Sequence, residues 1–290
     1  MKKILVVAEK DAKNLTALHR ALAIAKNSDV EIDLIGFVHA AGVDGSSLLT
    51  EKEKSQVRQK IIDEKKLWLK EQLNKLKNPA LHWDVLWEKS VHTWVINRCK
   101  QKPYDLVIKT GNRSESFTYT PTDWHLIREC SAPVMIVSNK KWKPKQSILA
   151  TLDLATDTSA KIKLNKRVIE QAQALHSVTG QKIEYVYVIS LPRVIDDLDV
   201  IDERKLVAKA KAHAEKKLNT DYKKYGIQLN QIKIVRGSVD KAIHRVASKL
   251  DVDIVILGTI GRKGIKGKLI GNTAESVLHS LTTDILTLKS

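Results

Sequence analysis

The sequence carries the same order of apolar and polar segments twice along its 290 residues. Segment 90–109 (SVHTWVINRCKQKPYDLVIK) aligns without a gap with segment 238–257 (SVDKAIHRVASKLDVDIVIL), and segment 130–137 aligns with segment 281–288. Few residues are identical, but the order, the spacing and the apolar pattern agree. A repeat of this length predicts two similar domains that arose by an old duplication.

Within each half, short apolar runs alternate with helical patterns. Runs of Val and Ile such as 4–7 and 254–257 are typical of strands buried on both faces of a sheet. One helical pattern repeats every fourth residue and predicts a core-facing stripe: Leu206, Ala210, Ala214, Leu218 and Tyr222. Gly180 and Gly226 stand where helix C-terminal glycines belong. The alternation predicts two α/β domains, each with a parallel sheet and right-handed crossovers.

Domain boundaries follow from a change in composition. Segment 138–147 (SNKKWKPKQS) contains Pro144 and is rich in lysine, which is typical of a linker. We therefore expect a first domain over 1–140, a linker over 141–147 and a second domain over 148–290.

The net charge of +17 favours contact with polyanions such as phosphorylated ligands, nucleic acid or membrane surfaces. The basic residues are spread along the chain and often alternate with acidic ones, a pattern typical of solvated helix faces. The N-terminal apolar run ends at Glu9, too early for a signal peptide or a membrane span. We expect a cytoplasmic protein without a membrane span.

The strongest chemical motif is a glycine-rich segment that follows the fourth strand of the second half. Gly258, Gly261 and Gly271 are followed by Asn272 and Thr273, which directly precede a helical pattern. Glycines let the backbone approach a ligand closely, and the N–H groups at a helix N-terminus attract anions. Basic residues surround the segment: Arg262, Lys263, Lys266 and Lys268. The segment predicts a phosphate-binding loop, although its spacing is neither that of a Walker A loop nor that of the dinucleotide fingerprint.

This spacing resembles the G-x2-G-x9-G-[ST] motif of the universal stress protein family, and with the duplication it resembles the tandem E-type members. The resemblance implies two Rossmann-like domains of the adenine-nucleotide α-hydrolase type, with strand order 3-2-1-4-5 and a pseudo-twofold relation. It also implies that Asp153 and Val188 contact the adenine and ribose of ATP or another adenine nucleotide, which Mg²⁺ could accompany. The predicted ligand-binding residues are Asp153, Val188, Gly258, Thr259, Gly261, Arg262, Gly271, Asn272 and Thr273.

The sequence departs from the family motif in both halves. Asn272 stands where a hydroxyl residue is usual, although Thr273 could replace that hydroxyl. In the first half only Gly111 remains of the glycines, Pro121 removes a backbone donor, and Glu9 replaces the aspartate after the first strand. We therefore expect the second domain, and not the first, to bind the nucleotide.

The resemblance further implies an intramolecular pseudo-dimer through the fifth strands, 134–137 and 285–288, and a further homodimer remains open. It favours a role in stress response by binding and signalling rather than by turnover. The sequence predicts no metal site, because its histidines and cysteines form no metal-binding motif. It predicts no catalytic residues, because it has no G-x-S-x-G nucleophile motif. Three alternatives remain: a slow ATPase or nucleotidyl-transfer enzyme, a binder of another anionic or nucleotide-conjugated metabolite, and a basic nucleic-acid-associated protein.

Overall fold

The computed structural model divides into two compact units. The described residues are 1–9, 15–76, 81–111, 121–142, 147–190, 202–259, 276–277 and 282–289. Among these residues the first unit ends at Asn139 and the second begins at Lys140. Residues 143–146 of the expected linker lie outside the described residues, so the extent of the linker stays a prediction.

The first unit is a parallel sheet with helices. Its strands are β1 (Lys3–Val7), β2 (Glu31–Val38), β3 (His82–Trp87), β4 (Leu106–Thr110) and β5 (Val134–Val137). Its helices are α1 (Thr16–Ala25), α2 (Ala41–Asp44), α3 (Glu51–Asn74), α4 (Val91–Gln101) and α5 (Pro121–Glu129). Strand β1 pairs with β2 and β4, β2 also pairs with β3, and β4 also pairs with β5. The order is therefore 3-2-1-4-5.

The second unit repeats this plan. Its strands are β6 (Ser147–Leu152), β7 (Lys182–Ile189), β8 (Ile232–Arg236), β9 (Ile254–Thr259) and β10 (Asp284–Lys289). Its described helices are α6 (Ser159–Thr179), α7 (Glu203–Thr220) and α8 (Val239–Leu250). Strand β6 pairs in parallel with β7 and β9, which pair in turn with β8 and β10. Each unit thus has the predicted strand order, and the predicted α/β class with helices on both sheet faces is confirmed.

The central strands of the second sheet form its core. Ile148, Leu149 and Ala150 on β6 have no exposed surface, and they pair in register with Ile254, Val255 and Ile256 on β9. Burying one such large aliphatic side chain stabilises the fold by about 1.5–3 kcal/mol. The continuous apolar runs therefore mark strands covered on both faces, as predicted.

The two predicted helix-ending glycines adopt the left-handed conformation. Gly180 follows α6 with φ of 70°, and Gly226 follows a short 3₁₀ helix with φ of 65°. A side chain at either position would be strained, which explains the glycines. Among the described residues, no helix is both long enough and apolar enough to cross a membrane.

Two histidines stack between α4 and α5 in the first unit. The rings of His92 and His125 lie 4.1 Å apart between centroids with 11° between their planes, and His125 Nδ1 lies 3.1 Å from Glu129 Oε1. Burial lowers the pKa of His92, and the neighbouring His125 lowers it further, whereas Glu129 opposes the shift. The folded protein therefore favours the neutral His92 ring.

Because the pKa of His92 is lower in the folded state, the unfolded chain binds more protons as the pH falls through about 6.5. We expect the melting temperature to fall by a few degrees between pH 7.5 and 5.5. In His92→Phe, which keeps an aromatic ring but cannot be protonated, this loss should shrink. Thermal melts of the wild type and His92→Phe at both pH values measure this loss. The variant His244→Phe, which changes an exposed histidine, is the control. Equal losses in wild type and His92→Phe would contradict the prediction.

Candidate functional site

A cavity of about 720 Å³ opens in the second unit where β6, β7 and β9 end. This volume is within the range of small-molecule sites, roughly 300–1,000 Å³. Strand β6 lies between β7 and β9. From β7 the strand order continues outward to β8, and from β9 it continues in the opposite direction to β10. In open parallel sheets, ligands bind at such a point, outside the carboxyl ends of the strands.

Three of the predicted site residues line this cavity, each from a different strand end. Asp153 follows β6, Val188 lies near the end of β7, and Gly258 lies near the end of β9. Residues up to 105 positions apart in sequence therefore meet at one site because the strands are parallel and adjacent. Gly261, Arg262, Gly271, Asn272 and Thr273 lie outside the described residues.

The predicted apolar stripe of α7 has two environments. Ala214, Leu218 and the following Tyr222 are buried in the core. Ala210 and Leu206, one and two turns nearer the N-terminus, line the cavity instead. The C-terminal half of α7 thus anchors the helix, and its N-terminal half forms a wall of the site.

Asp153 presents a partly exposed carboxylate to the cavity. Its Oδ2 lies 2.8 Å from Lys161 Nζ on α6, and both side chains are almost half exposed, at 45% and 42%. Its Oδ1 accepts a hydrogen bond from the backbone N–H of Ala155 at 3.3 Å. Because an exposed ion pair contributes only about 0–1 kcal/mol, a ligand can replace Lys161 at little cost.

A buried asparagine holds the backbone of Asp153 in place. The Asp153 N–H donates to Asn165 Oδ1 at 3.1 Å, and Asn165 Nδ2 donates to the Asp153 carbonyl at 2.8 Å. The same Nδ2 donates to the Tyr222 hydroxyl at 2.8 Å. Burial raises the pKa of Tyr222, so the phenol is neutral at physiological pH. Asn165 thereby joins the end of β6 to the residues that follow α7.

Packing explains the first glycine of the predicted loop. A Cβ atom added to Gly258 would lie 2.7 Å from Leu164 Cγ, far closer than carbon atoms approach. The first-unit Gly111 is similar, since a Cβ there would lie 2.8 Å from Ile136 Cγ2. Thr259 is buried and its hydroxyl donates to the Leu288 carbonyl at 3.0 Å, so its side chain binds within the sheet. Thr259 is not among the described residues that line the cavity.

The corresponding edge of the first unit has a different polar arrangement. Glu9, which follows β1 as Asp153 follows β6, accepts hydrogen bonds through Oε1 from the Ala17 N–H at 3.0 Å and from the Thr110 hydroxyl. Lys65 Nζ donates to the Glu9 carbonyl at 3.1 Å. The chain's own carboxylate therefore occupies the N-terminus of α1, a position that attracts anions.

Sequence reasoning missed several cavity residues. Lys161, Asn165, Tyr187, Lys209 and His213 all line the cavity. Asn165 alone carried a usable pattern, because it is a polar residue on the buried face of α6 beside Val168 and Ile169. The remaining four lie in patterns that are equally typical of exposed helix faces or strands.

The described residues contain no cluster of three or more side chains suited to hold a metal ion. Asp153 is the one carboxylate among the described residues that line the cavity. These features, with the two-unit fold, define a tandem α/β protein whose second unit has a cavity of small-molecule size.

A model of the universal stress protein family matches residues 1–138 and again residues 154–289. The chain belongs to the universal stress protein family and carries two of its domains in tandem. It is similar to universal stress protein E of Escherichia coli K12, at 26% identity over 99% of this chain and 93% of that protein. It is also similar to the universal stress protein E homolog of Haemophilus influenzae, at 25% identity over 99% and 97% of the two chains. The predicted resemblance to tandem E-type members is confirmed.

Solved structures share the fold over the whole chain. A functionally unknown protein from Pseudomonas aeruginosa PAO1 matches with a TM-score of 0.73 at 24% identity, covering 99% of this chain and 92% of that chain. A putative universal stress protein from P. aeruginosa UCBPP-PA14 matches with a TM-score of 0.72 at 24% identity, covering 99% and 93%. The two-unit architecture is therefore shared with these proteins.

We expect Gly258→Ala to destabilise the protein by about 1–3 kcal/mol, because the new methyl group overpacks against Leu164. In a Leu164→Ala background the same change should cost much less, since neighbouring changes are not additive. Denaturant unfolding of the two single variants and the double variant measures this coupling. Gly42→Ala, where a Cβ would meet no atom within 4 Å, is the control. Equal costs in both backgrounds would refute the packing explanation.

Asn165→Ala should cost about 1–3 kcal/mol, because it leaves the Asp153 backbone and the Tyr222 hydroxyl without their partner. Tyr222→Phe removes a single hydrogen bond and should cost about 1 kcal/mol. Urea unfolding of both variants tests this order. An Asn165→Ala protein as stable as the wild type would show that the bridge contributes nothing.

Proposed function

We propose that the second unit binds a nucleotide such as ATP, or a related phosphate-bearing ligand, and that the protein acts by binding and signalling in a stress response. The single observation that carries the proposal is the meeting of Asp153, Val188 and Gly258 in one cavity of about 720 Å³. The family resemblance associates Asp153 and Val188 with the adenine and ribose side of ATP, and the glycine segment that begins at Gly258 with its phosphates.

The chemistry of each residue fits its proposed part. The Asp153 carboxylate can accept hydrogen bonds from ribose hydroxyls once it exchanges Lys161 for the ligand. Val188 and neighbouring apolar side chains such as Val186 and Leu257 offer a nonpolar surface for a base. Gly258 has no side chain, and Leu164 fills the space that a Cβ atom would occupy.

Any Mg²⁺ would arrive with the nucleotide rather than bind a preformed site. Asp153 can supply one oxygen ligand, and Mg²⁺ typically takes one or two carboxylates together with phosphate oxygens and water. The metal would neutralise phosphate charge. This chain's own residues would bind and orient the nucleoside.

We propose that the first unit does not bind this nucleotide at the equivalent position. The Glu9 carboxylate already accepts the Ala17 N–H and the Thr110 hydroxyl, so an anionic ligand would meet a fixed negative charge there. The pairing of the fifth strands, a further homodimer and a cytoplasmic location stay predictions.

A titration with ATP tests the proposal. At a concentration one hundred times the dissociation constant, ATP should stabilise the protein by about 2.7 kcal/mol, seen as a rise in melting temperature. Asp153→Asn should weaken ATP binding about tenfold or more, while the melting temperature of the free protein changes little. Calorimetric titration and thermal melts measure both effects.

Two controls separate direct contact from indirect effects. Lys161→Ala removes the same ion pair but leaves the carboxylate, so it should retain binding. Glu9→Gln changes the equivalent position of the first unit and should leave ATP affinity unchanged. The absence of any thermal shift at millimolar ATP would sink the proposal.

The same samples distinguish the alternatives. Release of phosphate above the blank would favour the slow ATPase, and copurification of a different anion would favour another metabolite. Affinity for DNA or RNA that falls steeply with salt would favour the nucleic-acid alternative.

A further inference from the structure

Strand β7 presents a buried tyrosine to the second-unit cavity. Tyr187 lines the cavity and is only 5% exposed. It pairs in register with Leu152, the residue before Asp153, so its backbone lies beside the end of β6. In the sequence it directly precedes Val188, the residue that we place against the base. Tyr187 therefore lies where the base side of the cavity meets the end of β6.

The Tyr187 hydroxyl has no hydrogen-bond partner within the parts of the chain that the structure describes. It is also not among the described polar atoms that are sealed from solvent without a bond, so this oxygen keeps access to open space. By contrast, the hydroxyl of the buried Tyr222 accepts a hydrogen bond from Asn165 at 2.8 Å. A buried tyrosine hydroxyl usually has a partner. Because Tyr187 lines the cavity, that partner would lie in the cavity.

The surroundings of this phenol favour a hydroxyl group of the ligand as its partner. Burial raises the pKa of Tyr187, and the negative charge of Asp153 raises it further, so the phenol is neutral and can both donate and accept. The Asp153 carboxylate can only accept. A ligand hydroxyl between the two groups can donate to the carboxylate and accept from the phenol. A phosphate oxygen in the same place would be repelled by the carboxylate.

This position agrees with the orientation of the nucleotide in the proposed function. Val188 lies on β7, on one side of β6, and Gly258 lies on β9, on the other side. Asp153 follows β6, between these two strands. In a nucleotide the sugar joins the base to the phosphates. The sugar hydroxyls therefore belong near Asp153 and Tyr187.

We infer that Tyr187 is a specificity-determining residue of the second-unit cavity: its hydroxyl and the Asp153 carboxylate bind a ribose hydroxyl and so select ribonucleotides over deoxyribonucleotides. This inference rests on the proposed function, because it names the sugar of the ligand at the same site. A site that bonds a hydroxyl discriminates against the analogue without it, because the polar groups of the site are then left unpaired.

The test compares ATP with 2′-deoxy-ATP and 3′-deoxy-ATP in calorimetric titrations. The wild type should bind ATP about tenfold more tightly than at least one of these analogues. Tyr187→Phe keeps the ring and removes the hydroxyl. It should weaken ATP binding about fivefold and bind the disfavoured analogue at least as tightly as the wild type does. Equal weakening for ATP and both analogues, or no weakening for ATP, would overturn the inference.

Tyr185 provides a matched control on the same strand. It is also 5% exposed and lies two residues from Tyr187, on the same face of β7, but it is not among the described residues that line the cavity. Tyr185→Phe removes the same group and should leave ATP affinity and the preference for ribose unchanged. Thermal melts show whether either variant loses stability. A loss of preference in Tyr185→Phe as large as in Tyr187→Phe would contradict a direct contact.

Ribose 5-phosphate, a probe without a base, separates this inference from the proposed function. If it binds and Tyr187→Phe weakens it about fivefold, while no nucleotide binds, the nucleotide proposal fails and the sugar contact stands. ATP binding without any preference over the deoxy analogues would keep the nucleotide proposal and reject the contact. A wild-type protein that binds neither ATP nor ribose 5-phosphate would reject both.

Discussion

The hydrogen bonds of Asn165 are the interaction on which the geometry of the site depends. One buried amide binds the N–H and the carbonyl of Asp153 and also the Tyr222 hydroxyl. The first two bonds fix the backbone where β6 ends, and the third fixes the residue that follows α7. Asn165 thus holds both the end of β6 and Tyr222, which follows the helix that forms a cavity wall. The distance between Asp153 and Tyr222 cannot change without breaking these hydrogen bonds.

The cavity follows from this anchorage and from the unequal burial along α7. The helix is buried through Ala214 and Leu218, while Leu206 and Ala210 border open space. Covering exposed apolar surface with a ligand lowers the free energy by roughly 25 cal/mol per Å² of buried surface. A ligand in the cavity would therefore gain affinity from the wall without any specific polar contact, and the few polar groups would set its orientation.

The acidic residue after the first strand of each unit differs by one methylene group, and its side chain has different partners in the two units. After β6, the short Asp153 side chain faces the cavity and pairs with an exposed lysine. After β1, the longer Glu9 side chain reaches the N–H of Ala17 in the first turn of α1 and the Thr110 hydroxyl. The glutamate thereby satisfies two donors at the edge of the first sheet. The duplication therefore retains the sheet in both halves, while the polar groups at its edge differ.

Much of the fold could be predicted from the sequence, because strand and helix periodicities and chain order are local properties. The aligned halves, the continuous apolar strands and the terminal glycines at 180 and 226 are of this kind. The meeting of Asp153, Val188 and Gly258 was predictable only through the family resemblance. The glycine at 258 was predicted to serve a ligand, but its contact with Leu164 across 94 positions gives it a packing role that no spacing reveals.

The wall formed by α7 is the least predictable part of the site, because one apolar stripe faces the core at one end and the cavity at the other. A residue at every fourth position from Leu206 to Tyr222 predicts one continuous contact with the core. The periodicity records which face of the helix is apolar, but it does not record what lies opposite that face. Beyond Ala214 the opposite surface is the protein core, and before it the opposite surface is a cavity. Lys209 and His213 line the cavity beside Ala210 and Ala214, the two residues between which the stripe passes from the cavity to the core. An apolar stripe interrupted by basic residues near one end is therefore as consistent with the wall of a ligand site as with a solvated helix end, and only the tertiary structure decides between them.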